Sequence, residues 1–230
     1  MAKDMAVAAE CFGVRVPQSP FLNELRIARL NAGRYEGQEI EGALHVVGSD
    51  DVVLEIGAGI GVVGAVIAHN ARPRAVHSFE ANPALIPWIN ELYERNDLKG
   101  RISVRNEVLI ASPDRPETVS FHIRSSFLGS SLIKSERRPT EEVEVTTVSF
   151  QDVCAAIKPT VLVMDIEGGE LDLLEHADLS PFRAIVLEYH PEAYEVAGMR
   201  RCKNIIRDAG FVRVDEKSTR TVWTCLREAG

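Results

Sequence analysis

The sequence predicts an α/β domain, three-layered and doubly wound, on a seven-stranded, mostly parallel sheet with a terminal antiparallel strand. Three observations predict it. From Asp51 onward, short β-branched runs alternate with amphipathic stretches, the pattern of βαβ units. The stretch VLEIGAGIGVVGAVIA, Val53 to Ala68, reads as strand, glycine turn and helix. Only KSTR separates the last two β-like runs, and a parallel crossover needs about a dozen residues, so these two strands pair antiparallel.

Each element has its own signal. SPFLNELRIARLNAGRYEGQEIEGALHVV reads as helical and makes residues 1–48 a helical cover over one side of the site. The core, 49–230, starts with the strand VVLEI (52–56), then a helix from Val62 to Asn70. AVHSF (75–79) is the second strand, and Pro83 opens a helix from Ala84 to Asn96. ISVRNEVLI (102–110) is the third. The region 111–148, rich in Ser, Pro and charge, reads as an inserted hairpin or lid. Ser149 starts a helix from Phe150 to Ile157, and TVLVMDI (160–166) is the fourth strand. A helix from Glu170 to His176 precedes AIVLEYH (184–190), and Pro191 opens a helix from Glu192 to Ala209. FVRVDE (211–216) and TVWTCL (221–226) close the sheet, and right-handed crossovers put helices on both faces.

Composition narrows the function classes. The 230 residues, enough for one domain, are 45% hydrophobic and 26% charged, and no apolar run approaches the ~20 residues of a membrane span. A soluble protein without a membrane partner is expected. The formal charge of −8 argues against a broad phosphate-binding face and so against nucleic acid. The opening MAKDMAVAAECFGVRVP has an acid at Asp4 and no long apolar core, unlike an export signal, so a cytoplasmic location is expected. Cys11, Cys154, Cys202 and Cys225 form no CxxC pair and are expected as reduced packing residues. A homo-oligomer is compatible with the sequence.

Gly57, Gly59, Gly61 and Gly64 let backbone approach a ligand, and the following helix offers free N–H donors. Gly59 to Gly64 also matches GxGxxG, with the acid Glu80 about 20 residues on. Two cofactors therefore compete, a nicotinamide dinucleotide and S-adenosyl-L-methionine (SAM). Glu55 tilts the balance: a carboxylate two residues before the first glycine repels a diphosphate and attracts a sulfonium bearing an amino group. Glu80 suits the ribose hydroxyls of either. A reversed terminal strand favours SAM by analogy of fold.

From Tyr35 to His190 the chain resembles the FkbM family of SAM-dependent methyltransferases. The likeness is carried by YEGQE, VLEIGAGIG, FEANP, the serines of RSSFLGSSL, VMDIEGGELDLL and VLEYH. It implies the seven-stranded, Rossmann-like class I fold and methyl transfer, commonly to a hydroxyl oxygen of a sugar, glycan or secondary metabolite, with S-adenosyl-L-homocysteine (SAH) as product. Two departures are visible: Glu55 where the family usually has Asp, and Met164 where it often has Lys.

The expected cofactor residues are Tyr35, Glu55, Gly57, Ala58, Gly59, Gly61, Glu80, Ala81, Asn82 and Asp165. Transfer to a small-molecule acceptor needs in-line positioning and removal of a proton. Asp165 and Glu167 end the fourth strand, Glu188 and His190 the fifth, and period-two geometry puts each pair on one face. Asp165 is expected beside the methyl group, Glu188 beside the acceptor and His190 as general base. The same acids and imidazole suit a divalent metal such as Mg, Mn or Zn; no metal ligand is assigned, because spacing alone sets no coordination geometry. Tyr35 and Glu36 either touch the cofactor or cap a helix, and Glu167 and Glu170 either serve the site or begin the next helix. Ser126, Ser130 and Ser131 either line the acceptor pocket or are loop chemistry.

Overall fold

The structure, a computed structural model, describes residues 6–124 and 140–228. The chain begins with a hairpin, β1 (Val7–Cys11) against β2 (Val14–Pro17), where only a helical cover was expected. Its two-residue turn has positive φ at both Phe12 (48°) and Gly13 (82°). Such turns usually read Asn-Gly or Asp-Gly, and Phe at the first position hid the signal. Helices α1 (Glu24–Asn31) and α2 (Gly37–Val46) follow. Asn23 caps α1 by accepting from the Arg26 N–H at 2.8 Å.

The alternation after Asp51 folds as β3 (Val52–Ile56), α3 (Val62–Asn70), β4 (Ala75–Phe79), α4 (Ile86–Arg95), β5 (Ile102–Arg105) and β6 (Val108–Ile110). Strands β7 (Thr118–Arg124) and β8 (Thr140–Ser149) then precede α5 (Phe150–Ile157), β9 (Val161–Met164), α6 (Glu170–His176) and β10 (Ala184–Glu188). The chain ends with α7 (Pro191–Asp208), β11 (Phe211–Arg213), a 3₁₀ turn (Asp215–Lys217) and β12 (Val222–Arg227). Seven strands form the main sheet in the order β11-β12-β10-β9-β3-β4-β5, and β12 alone runs against its neighbours. This is the expected sheet, reversed strand included.

Period two sorts the sheet's side chains. Val53, Val76, Val161, Val163, Ala184 and Val186 pack under α2, α3 and α4. Leu54, Ile56, Leu162, Met164, Ile185 and Leu187 pack against α5, α6 and α7. The two cores make three layers. The four cysteines are buried and unpaired.

Two further elements differ from expectation. The run 102–110 is not one strand, because at Asn106 the chain leaves the sheet, and the Asn106 amide donates to the carbonyls of Glu80 and Ala81 at 2.8 and 2.9 Å. Beyond it β6 joins a separate sheet of order β6-β8-β7, in which β7 and β8 pair antiparallel. The inserted region is thus an arm whose inner part is a hairpin; Ser126, Ser130 and Ser131 lie outside the described residues. Helix α7 is interrupted at Tyr194 and Glu195, where φ reaches 60°, and the Tyr194 hydroxyl accepts from the His190 N–H at 2.7 Å.

The amino ends of β3, β9 and β10 are tied by Asp51. Its carboxylate accepts from Thr160 at 2.7 Å, from the Gly48 N–H at 2.7 Å and from the Arg183 guanidinium at 2.8 Å. Arg183 also donates to the Val46 carbonyl at 2.6 Å. Among the described residues, no helix is long and apolar enough to cross a membrane.

Candidate functional site

At the opposite, carboxyl ends of β3, β4 and β9 lies a cavity of about 340 Å³, where doubly wound sheets place ligands. Its floor is the turn after β3. Gly57 has φ 87°, and a Cβ there would sit 1.7 Å from the Asp165 carbonyl, so only glycine lets this turn lie against β9. Gly59, φ 55°, leaves open space; the nearest atom to its missing Cβ is the Tyr35 hydroxyl at 3.8 Å.

Glu80 stands beside this turn, 7% exposed. Its two oxygens are held by separate backbone donors, Oε2 by the Gly59 N–H and Oε1 by the Asn82 N–H, both at 2.8 Å. Burial pushes its carboxyl up to about 7, against the pull of the Asn82, Gly59 and Ala81 N–H groups. Each oxygen keeps lone-pair capacity for a further donor.

Glu55 is 1% exposed and turned under α3. The Ser78 hydroxyl donates to Oε2, and the N–H of Gly64, in the first turn of α3, donates to the same carboxylate. Oε1 has no hydrogen-bond partner among the described residues. Burial pushes this carboxyl up to about 7. One reason for an acid at this point is therefore local: it satisfies an orphan donor at the positive end of a helix. Gly64 is needed for the same contact, since a Cβ would meet Glu55 Oε2 at 2.3 Å.

The other end of the cavity is acidic. Glu36, Glu39, Asp165 and Glu188 each bring an oxygen within 4.8 Å of the others'. Burial and the Glu188 charge push Glu36 up to about 7, and burial with the Glu36 charge pushes Glu39 to about 10. Burial raises Asp165 as well, against the pull of His190. The His190 ring is tied through Nδ1 to Glu170 Oε1 at 2.6 Å, and its Nε2 is 3.5 Å from both Asp165 Oδ1 and Glu167 Oε2. Burial of the ring works against its charge, but the Glu170 bond and the charges of Asp165, Glu170 and Glu167 prevail and push it up to about 10.

Tyr35, Glu55, Gly57, Ala58, Gly59, Glu80, Ala81, Asn82 and Asp165 all line the cavity. Gly61, Glu188 and His190 do not. At Gly61 a Cβ would lie 2.8 Å from Ile89, so the close packing of α4 against this turn requires a glycine. Glu188 and His190 stand behind Asp165 and Glu167. Sequence reasoning missed Glu39 and the apolar wall of Phe79, Leu85, Leu109 and Phe121. Glu39 carried a usable signal, an acid one helical turn after Glu36 in YEGQE. The apolar wall carried none, since its residues read as ordinary core.

A family model described as "Methyltransferase FkbM domain" matches residues 55–221. Among solved structures, the chain is similar to a precorrin-6y C5,15-methyltransferase from Geobacter metallireducens, at 12% identity over 84% of this chain and 88% of that one, with a TM-score of 0.47. It is also similar to the methylase of a ribosomal protein from Lactobacillus delbrueckii subsp. bulgaricus, at 13% identity over 84% and 79%, with a TM-score of 0.48. No curated protein matches it in sequence.

Proposed function

The chain belongs to the FkbM methyltransferase family, and from that premise we propose that it transfers the methyl group of SAM to a hydroxyl oxygen of a small molecule. The observation that carries the donor is the mixed lining of the cavity: the carboxylates of Glu36, Glu39 and Asp165, the apolar Phe79, Leu109 and Phe121, and Glu80 beside the glycine turn. A ligand that fits has a cationic end, a vicinal diol and an apolar heteroaromatic end. SAM has all three. A dinucleotide would set its diphosphate against the acids, which is unfavourable.

SAM supplies a methyl carbon already activated by its sulfonium. The chain's residues do the rest. Glu80 takes the two ribose hydroxyls, one per oxygen; Gly57, Ala58 and Gly59 let the backbone lie against the ligand; Ala81, Asn82 and Tyr35 close its sides. Glu55 shapes the turn from beneath by holding α3. Asp165 faces the methyl group, and Glu188 and His190 support it. Against the effect of burial, Glu170, Asp165 and Glu167 push the ring up to about 10, which disfavours it as the first proton acceptor. We therefore assign proton acceptance to Glu167, on the cavity wall.

Calorimetric titration with SAM and SAH tests the donor: micromolar binding of both is expected, and absence of heat with folded protein would discard the reading. Transfer of labelled methyl from SAM into metabolite extracts, followed by cleavage chemistry that separates methyl ethers from methylamines and methyl esters, tests the acceptor atom.

A further inference from the structure

We propose that Asp165, Glu188 and His190 bind one divalent metal ion of the Mg²⁺/Mn²⁺ class at the acidic end of the cavity. Each offers one ligand atom, and the three lie within 4.8 Å of one another at the ends of the adjacent strands β9 and β10.

Two further observations point to an ion. The first is the support of the imidazole: Nδ1 is bonded at 2.6 Å to Glu170, a residue with no exposure, which leaves Nε2 aimed at Asp165. A metal-binding histidine has this arrangement, because a carboxylate on one ring nitrogen fixes the tautomer and direction of the other. The second is Glu39, 4% exposed, whose carboxylate comes within 4.8 Å of those of Asp165 and Glu188 while its Oε1 has no hydrogen-bond partner among the described residues. An acceptor so deeply buried and unsatisfied calls for a donor or an ion that the protein's own groups do not supply.

His190 Nε2 and Asp165 Oδ1 are 3.5 Å apart, close enough to share one ion. Two carboxylate oxygens and one imidazole suit Mg²⁺ or, better, Mn²⁺ chemistry. Binding would displace the ring proton of His190 to solvent.

The task given to the ion rests on the methyl-transfer reading. A carboxylate is a weak base towards an alcohol, and a divalent cation makes the hydroxyl more acidic. The proton then goes to Glu167 and on to water; the acceptor oxygen forms its bond to the methyl carbon, and the electron pair of the broken C–S bond stays on sulfur.

The test is titration of the metal-stripped full chain with Mn²⁺, read by electron paramagnetic resonance, with SAH titrated in parallel. One Mn²⁺ per chain is expected, with nitrogen coupling from the single imidazole in the wild-type spectrum. Affinity should fall at least tenfold in Asp165→Asn and Glu188→Gln, fall 10–100-fold in Glu170→Gln, and stay unchanged in Glu94→Gln, on the exposed side of α4. Absence of stoichiometric binding, absence of nitrogen coupling, or equal affinity in all four variants would overturn the site. SAH binding without Mn²⁺ overturns the ion and keeps the donor; Mn²⁺ binding without SAH keeps the ion and overturns the donor.

Discussion

Single residues decide the chemistry, and Glu80 is the most testable. Losing charge-assisted hydrogen bonds, Glu80→Ala should weaken SAH binding by about 1.5–3 kcal/mol, read by calorimetry; unchanged affinity would show the ribose lies elsewhere. Its pH dependence has a definite sign. With the free carboxyl at about 7, the acceptor form is lost below that value, so SAH affinity should rise as pH is raised through 7, and the step should shrink in Glu80→Gln. The acids were readable from the sequence because they follow apolar strand runs, but β9 stops at Met164 and Glu167 has φ 53°, so strand period two does not set the directions of Asp165 and Glu167. Their electrostatics were not readable. The upward shift of His190 depends on Glu170, twenty residues away, and the contact of Glu55 with Gly64 depends on how α3 docks. A reading by residue type sees a near-neutral imidazole and a cofactor-facing acid; the fold adds the Glu170 bond that, against burial, raises the one and the Gly64 contact that anchors the other.

Elements with a local physical cause were readable nearly to the residue: α3, α5 and α6 start and stop as the glycine, serine and strand-end signals imply. Ser149 accepts from the Asp152 N–H at 3.1 Å, and Ser149→Ala should cost about 1 kcal/mol, seen as a melting temperature lower by about 2–4 °C. Gly64→Ala should destabilise by about 1–3 kcal/mol through overpacking against Glu55; a wild-type urea midpoint would show that α3 shifts freely. Elements that depend on partners were not readable. The strand expected over 102–110 breaks at Asn106 because that amide is drawn to the carbonyls after β4, and the first hairpin turns on an unusual Phe-Gly pair.

The whole molecule is a sheet tied at one end and open at the other. The tie is Asp51, whose carboxyl, despite the opposing effect of burial, is held below the usual range by Arg183, the Gly48 N–H and Thr160. A carboxyl depressed in the folded state contributes stability above the ordinary carboxylate range and loses it as pH falls through the folded value. Asp51→Asn should therefore cost about 1–2 kcal/mol at neutral pH, Arg183 being half-exposed, and the gap to wild type in urea unfolding should narrow near pH ~3. An equal gap at both pH values would assign the loss to packing. The sheet order and reversed strand were readable because crossover handedness and connector length leave few topologies, whereas the tie joins residues over 100 positions apart. The arm has a different consequence. It departs through Val108–Ile110 and returns through Thr147–Ser149, and these two stretches are parallel neighbours, so everything between them is a closed excursion with a fixed base. Length changes between those two stretches leave β3, β4 and β9, and the glycine turn they carry, in register.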